Sequence, residues 1–120
     1  MADKIYLKNM IFYGFHGAHE YERKVGQRFF VDVEMKADFF PASKTDQLHD
    51  TADYVEAYNL IKELVEKNSF QLLECLSAAI AEKILEESAI INEVTVRVRK
   101  PAVPIAGALD YVEVEVTRGR

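Results

Sequence analysis

From Phe29 to Phe39 the chain alternates without a break. Phe29, Val31, Val33, Met35, Ala37 and Phe39 share one side, and Asp32, Glu34, Lys36 and Asp38 the other. A period of two with one apolar and one charged side predicts a strand in a sheet that buries a single face. Residues 4 to 13 read as an earlier strand running into Gly14 and Gly17, with Gly26-Gln27 closing the loop between the two. Residues 40 to 50, with Pro41, Ser43, Asp46 and Asp50, have the turn-rich composition of a surface connection. The period then changes. Val55, Tyr58, Ile61 and Val65 recur at helical spacing behind Asp53 and Glu56, a capping-box pair, and this helix ends near Lys67-Asn68. Ser69 is placed to cap a second helix in which Leu73, Leu76, Ile80 and Ile84 share a face, while Glu82, Lys83, Glu86 and Glu87 turn toward solvent. Val94 to Lys100 predicts a third strand. Val112, Val114 and Val116, alternating with Glu113, Glu115 and Thr117, predict a fourth, and Pro101, Pro104 and Gly107 lie in the loop between them.

The resulting order is ββααββ. Two amphipathic helices and a sheet with one apolar face bury each other most simply as a two-layer α+β domain: a four-stranded antiparallel sheet, both helices on one face, the other face charged. On that charged face Arg97 and Arg99 are positioned to pair with Glu113 and Glu115 across the last hairpin. The free sheet edges invite further copies of the chain, and closure into a ring would cover them.

Composition narrows the partners. At 120 residues and 49% hydrophobic content the chain is read as one domain, 1–120, able to bury its own core. A formal charge of −5, with both signs interspersed, supplies no cationic patch for nucleic acid or an anionic membrane. Asp3, Lys4 and Lys8 interrupt the first ten residues, which therefore lack the apolar run of a signal peptide or membrane span, and a cytoplasmic address is expected. Cys75 is the only cysteine, so there is no intrachain disulfide; it is expected to be buried in its helix.

Lys100 is the residue that patterning does not explain. It continues the Val94, Val96, Val98 series onto the apolar face, immediately before Pro101. An amine there belongs at the rim of a partly desolvated pocket. Glu74 lies in the first turns of the second helix, where the helix dipole favours a carboxylate that can accept paired hydrogen bonds from an amidine-like edge. Tyr54, first in its helix after Asp53, can project from the terminus toward a ligand or close the helix entry. Glu22 sits in a charged loop segment and gains interest only from its company. His16, His19, Glu20 and Glu22 are metal-ligating types at short spacing, but the flanking glycines suggest a turn, and no metal site is expected. There is no phosphate-cradling glycine loop before a helix and no nucleophile elbow, which removes the usual supports for kinase, dehydrogenase and hydrolase readings. A Schiff base on Lys100 would need a buried site.

Phe12-Tyr13-Gly14-Phe15-His16-Gly17, Glu22, Gly26-Gln27, Val31-Asp32, Asp46, Asp50-Thr51, Tyr54, Leu72-Leu73-Glu74 and Lys100-Pro101, in this order and spacing, resemble the signature of the dihydroneopterin aldolase family. The resemblance covers nearly the whole chain. It implies the tunnelling fold, a tetrameric ring commonly stacked to an octamer, active sites between neighbouring subunits, and no cofactor. It also implies a pterin substrate, 7,8-dihydroneopterin, cleaved without metal or Schiff base to 6-hydroxymethyl-7,8-dihydropterin and glycolaldehyde, with 2′-epimerization as a side activity. By the same resemblance Lys100 moves the proton, Glu74 and the backbone of Leu73 hold the pterin edge, Tyr54 from the adjoining subunit assists protonation, and Glu22 orients hydroxyls or the lysine. Two rivals remain. A dihydroneopterin triphosphate epimerase would use Arg23, Lys24 and Arg28 at the pocket mouth, and a noncatalytic pterin-binding ring protein would use Lys100 only to balance charge.

Overall fold

The computed structural model describes residues 2–120. Strand β1 (Asp3–Gly14) is followed by a short helix α1 (Glu20–Val25), β2 (Gln27–Ala37), a short helix α2 (Phe40–Thr45), a 3-10 turn (Leu48–Asp50), the two long helices α3 (Tyr54–Lys67) and α4 (Leu73–Glu87), and the hairpin β3 (Glu93–Lys100) and β4 (Val112–Gly119). The four strands form one antiparallel sheet in the order β1-β2-β3-β4, so β1 and β4 are its edges. The predicted α+β architecture is the one observed. Among the described residues no helix is long and apolar enough to cross a membrane.

The core lies between the inner sheet face and the two long helices. Phe29, Val31, Val33 and Met35 of β2 and Val94, Val96 and Val98 of β3 are shut off from solvent beneath Ile61 and Val65 of α3 and Leu76, Ile80 and Ile84 of α4. Each such side chain contributes about 1.5–3 kcal/mol on burial. The helical stripe of α4 is the one expected, whereas α3 buries Ala57 with Ile61 and Val65 and leaves Val55 exposed. Position 55 lies six residues from Ile61, well round the helix from the buried stripe at 100° per residue. Asp53 caps α3 as predicted, its Oδ1 accepting from the Val55 and Glu56 amides at 3.0 and 3.3 Å. Ser69 does not cap α4. That helix begins at Leu73, and the Ser69 hydroxyl instead donates to the Phe15 carbonyl at 2.6 Å.

Two segments expected to be loops are partly helical. α1 forms between Gly17 and Gly26, and residues 40–50 coil into α2 and the 3-10 turn, with Asp46 left-handed at φ 58° and Thr45 Oγ1 donating to Asp50 at 2.5 Å. Both helices are six residues long, too short to carry a readable apolar period. β1 has a weaker alternation than β2 because it contains a bulge: the register shifts between Leu7 and Met10, and Asn9 takes φ 55°.

The outer sheet face is charged and its predicted cross-strand pairs form. Arg97 meets Glu115 at 2.6 Å, and Arg99 meets Glu113 at 3.0 Å. Asp32, expected in solvent, is instead only 7% exposed. The Arg99 guanidinium covers it with bonds of 2.8 and 3.1 Å, and the bulged Asn9 amide donates to it at 2.6 Å. Burial alone would raise the Asp32 carboxyl, but these donors and the charges of Arg99 and Lys8 hold it down at about 2. The unfolded carboxyl titrates higher, so the stabilization is complete above the unfolded value of 3.8 and disappears as pH falls from there toward 2. Asp32→Asn is expected to cost about 2 kcal/mol in urea denaturation at pH 7, with the difference from wild type narrowing as pH falls below 4.

Candidate active site

The amine of Lys100 reaches its position through strand register. Lys100 pairs with Val112 at the end of β3, and its side chain, on the helix-side face, is 11% exposed. Pro101 ends the strand, and the next residue is fastened by Gln27, whose side-chain amide donates to the Ala102 carbonyl at 2.9 Å and accepts from the Ala102 N–H at 3.0 Å. This two-bond clamp fixes the backbone just beyond Lys100. Gly26, at φ 72°, permits the turn that delivers Gln27; a Cβ there would lie 2.6 Å from the Tyr13 ring and 2.7 Å from the Gly14 carbonyl.

Glu22 comes from the middle of α1. Its carboxylate accepts from Lys100 Nζ at 2.6 Å and from the His19 amide at 3.3 Å, and its side chain is 3% exposed. The approach requires a glycine at position 17, because a Cβ there would fall 2.5 Å from Glu22 Cβ and Cδ. A pair this dry and this short is a charge-assisted contact in which both groups depend on each other, since removing one strands the other without a counter-charge.

His16, considered above with possible metal ligands, is a structural residue. It is fully buried, Nε2 lies 2.7 Å from the Val65 carbonyl, and Nδ1 accepts from the Phe70 amide at 3.0 Å, so neither nitrogen is available. Burial pushes its pKa down, and the ring is neutral. His19 stacks on Tyr21, Glu20 pairs with Lys24 at 2.9 Å, and Glu22 holds Lys100. Thus the four residues face different partners, and among the described residues no three metal-ligating side chains converge.

At the start of α4 Leu72 is exposed, Leu73 is buried, and Glu74 turns outward in the first turn. Leu72 provides no side-chain cap. The Cys75 N–H is bonded to the Leu72 carbonyl at 3.1 Å, while among the described residues the Leu73 and Glu74 amides find no acceptor and are open to one beside a carboxylate. Cys75 is exposed rather than buried, because the stripe of α4 runs through Leu73, Leu76 and Ser77 and leaves position 75 outside it. Tyr54, 56% exposed at the first position of α3, forms no hydrogen bond with Glu22, Lys100 or Glu74 among the described residues. A groove of about 950 Å³ runs along α3 and α4 past Leu48, Ala52 and Leu60, and includes neither Lys100, Glu22 nor Glu74. Within one copy, then, Lys100 and Glu22 are joined, while Tyr54 and Glu74 stand exposed and apart from them. Missing from the sequence reading were Gln27 as a backbone clamp and His16 as a buried linker; the only signals were their places in the quoted motifs.

The family model described as FolB, dihydroneopterin aldolase, matches residues 5–117. The dihydroneopterin aldolase of Bacillus subtilis is 40% identical over 116 residues, 97% of each chain. In structure, the chain resembles Escherichia coli dihydroneopterin aldolase in complex with neopterin, with a TM-score of 0.87, 25% identity, and coverage of 98% and 99% of the two chains. It also resembles the Burkholderia thailendensis dihydroneopterin aldolase bound to guanine, with a TM-score of 0.79, 27% identity and coverage of 99% and 92%. A strand-end lysine paired with a buried glutamate, a helix start carrying a free carboxylate, and agreement over the full length together show that the chain belongs to the dihydroneopterin aldolase family of enzymes.

Proposed function

We propose that the chain catalyses the retro-aldol cleavage of 7,8-dihydroneopterin in folate biosynthesis, at a seam between neighbouring copies, with Lys100 as the proton carrier. The observation that carries this is the Lys100 ammonium held 2.6 Å from Glu22 with both side chains almost removed from water. Removal of the proton from the 2′-hydroxyl lets the bond between the first and second side-chain carbons break. The second and third carbons leave as glycolaldehyde. The released electron pair enters the carbon–nitrogen double bond of the dihydropterin, and protonation of the first side-chain carbon gives 6-hydroxymethyl-7,8-dihydropterin. The ring is the electron sink, so neither a metal nor a Schiff base is needed. Lys100 takes the proton through a bound water in its neutral amine form and, as the resulting ammonium, returns it to the first side-chain carbon. Glu22 fixes the amine and orients the side-chain hydroxyls, and Tyr54 of a neighbouring copy assists protonation of the enol-like intermediate. Glu74 accepts from the pterin amino group and ring N–H while the Leu73 amide donates to the ring. Re-addition of glycolaldehyde on the other face would invert the 2′ carbon, which accounts for an epimerase side activity.

The seam is supported by what one copy leaves uncovered. β1 and β4 are unpaired edges, Val112, Val114 and Val116 on the inner face of β4 are only half-buried, and Tyr6, Ile11 and Tyr13 of β1 are exposed. Pairing β4 of one copy with β1 of the next would satisfy both edges and bring exposed side chains such as Tyr54 toward another copy's Lys100. A triphosphate substrate is the weaker reading. Arg23 is bound to the Gly17 and Ala18 carbonyls at 2.8 and 2.9 Å, Lys24 pairs with Glu20, and of the three only Arg28 has no such partner among the described residues.

Incubated anaerobically with 7,8-dihydroneopterin and a chelator, the protein is expected to release glycolaldehyde and the hydroxymethyl pterin in equal amounts; no product at high enzyme concentration would refute the assignment. Lys100→Ala should keep pterin binding while kcat falls about 10²–10⁴-fold, the usual contribution of a positioned acid–base group. A kcat within twofold of wild type removes the lysine from the reaction. Glu74→Ala should weaken pterin binding by about 1.5–3 kcal/mol, measured by fluorescence titration. Native mass spectrometry should find assemblies that are multiples of four 13.7 kDa chains, and a monomer active at assay concentration would defeat the seam.

A further inference from the structure

We propose that His16 is a positioning residue that sets the distance between the pterin anchor at the start of α4 and the Lys100–Glu22 pair. The inference rests on the function proposed above and adds a residue to it. His16 joins three pieces of chain. Its neutral ring donates from Nε2–H to Val65 in the last turn of α3 and accepts at Nδ1 from Phe70, three residues before Leu73. The ring stacks on Phe70, with centroids 5.7 Å apart and planes at 17°, and meets the edge of Phe29 at 5.1 Å. Around it the same two loops are tied again, by Gly17 N–H to the Phe70 carbonyl at 2.9 Å and by Ser69 Oγ to the Phe15 carbonyl at 2.6 Å.

The other side of this knot is the proton carrier. Gly17, bonded to Phe70, lies directly against the Glu22 side chain, and Glu22 holds Lys100. A continuous set of contacts therefore runs from Lys100 through Glu22, Gly17 and His16 to Phe70, and from there through Gln71 and Leu72 to the Leu73 amide and Glu74. In the proposed reaction the heterocycle is held at one end of this set, and the 2′-hydroxyl of its side chain is deprotonated at the other. A displacement of about 1 Å between anchor and base lowers the rate by about 10²-fold while leaving the anchor itself intact. His16 acts on the reaction only through Phe70 and Glu22.

The two ring nitrogens can be tested separately. Asn at position 16 offers an oxygen near the place of Nδ1 and so retains an acceptor for the Phe70 amide; Gln offers a donor near Nε2 and leaves that amide unpaired. In the full-length assembled protein, dissociation constants for a pterin lacking the trihydroxypropyl side chain and kcat with 7,8-dihydroneopterin are measured for wild type, His16→Asn and His16→Gln. All three should bind the bare pterin within about threefold of one another. His16→Asn should keep kcat within about threefold of wild type, and His16→Gln should lose at least about tenfold. Equal kcat for the two variants, or bare-pterin affinity falling in step with kcat, overturns the proposal and leaves His16 a packing residue. If either variant does not fold, Ser69→Ala, at an exposed position, loosens the same junction: an approximately fivefold fall in kcat at unchanged pterin affinity supports the inference, and unchanged kcat overturns it. Failure of wild type to bind or cleave any pterin removes the functional reading and this inference together. A working wild type whose Asn and Gln variants do not separate removes the inference alone.

Discussion

A charged amine placed on the apolar face of a strand is tolerable only if something of opposite sign meets it, and much of the chain around residue 100 is arranged to do so. Without Glu22, burial of the Lys100 ammonium would cost several kcal/mol. Glu22 arrives on a six-residue helix that exists between two glycines, one of which admits the carboxylate and the other of which turns the chain back into β2. Gln27 then fixes the far side of Lys100 through the Ala102 backbone. The pair adds little as a source of stability. For the reaction proposed above, its value lies in giving the amine one location, which a proton carrier requires.

The opposite face of the sheet solves a similar problem by different means. Asp32 faces what would be open water, yet Arg99 lies over it and the β1 bulge supplies an amide to it. Arg99 also bonds Glu113 and the Asn9 side-chain oxygen and stands against the Tyr111 ring, so one guanidinium links all four strands and the loop before the last of them. Register on this face is therefore set by charge, and on the other by packed valines. A slip of one residue would exchange the two environments, burying Arg97 and Arg99 and exposing Val96 and Val98.

Periodicity is what made most of the fold readable. β2, β3, β4 and α4 repeat regularly over eight or more residues, and the structure buries the apolar series of β2, β3 and α4 and half-buries that of β4 on the same face. α1 and α2 complete barely more than a turn, and their positions depend on tertiary contacts: Glu22 to Lys100, and Thr45 to Asp50. For the same reason β1 was blurred, since the bulge at Asn9 changes which parity faces inward. The site divides along similar lines. Lys100 was visible as a break in a strict alternation, and Glu74 as a carboxylate at a helix start. Glu22 and Gln27 had no pattern to break, because a loop glutamate and a strand-end glutamine look ordinary until the residues they hold are known. His16 carried the wrong suggestion: imidazole beside carboxylates reads as ligand chemistry, but complete burial gave both nitrogens to backbone groups.

The two margins of the sheet are unlike each other. β1 is twelve residues long, kinked and aromatic; β4 is eight residues long and alternates valine with acid. A strand that joins unlike margins makes a heterologous contact, in which each added copy presents the same unsatisfied margin as the one before it. Such growth has no natural stopping point except closure, and the rotation per copy is set by the right-handed twist of the strands. In the edge-to-edge assembly proposed above, the curvature stored in a single polypeptide would decide whether association ends in a closed cycle or continues as a filament. A surface change on β1 or β4 that altered twist, without touching any reactive group, would alter how many active centres a finished particle contains.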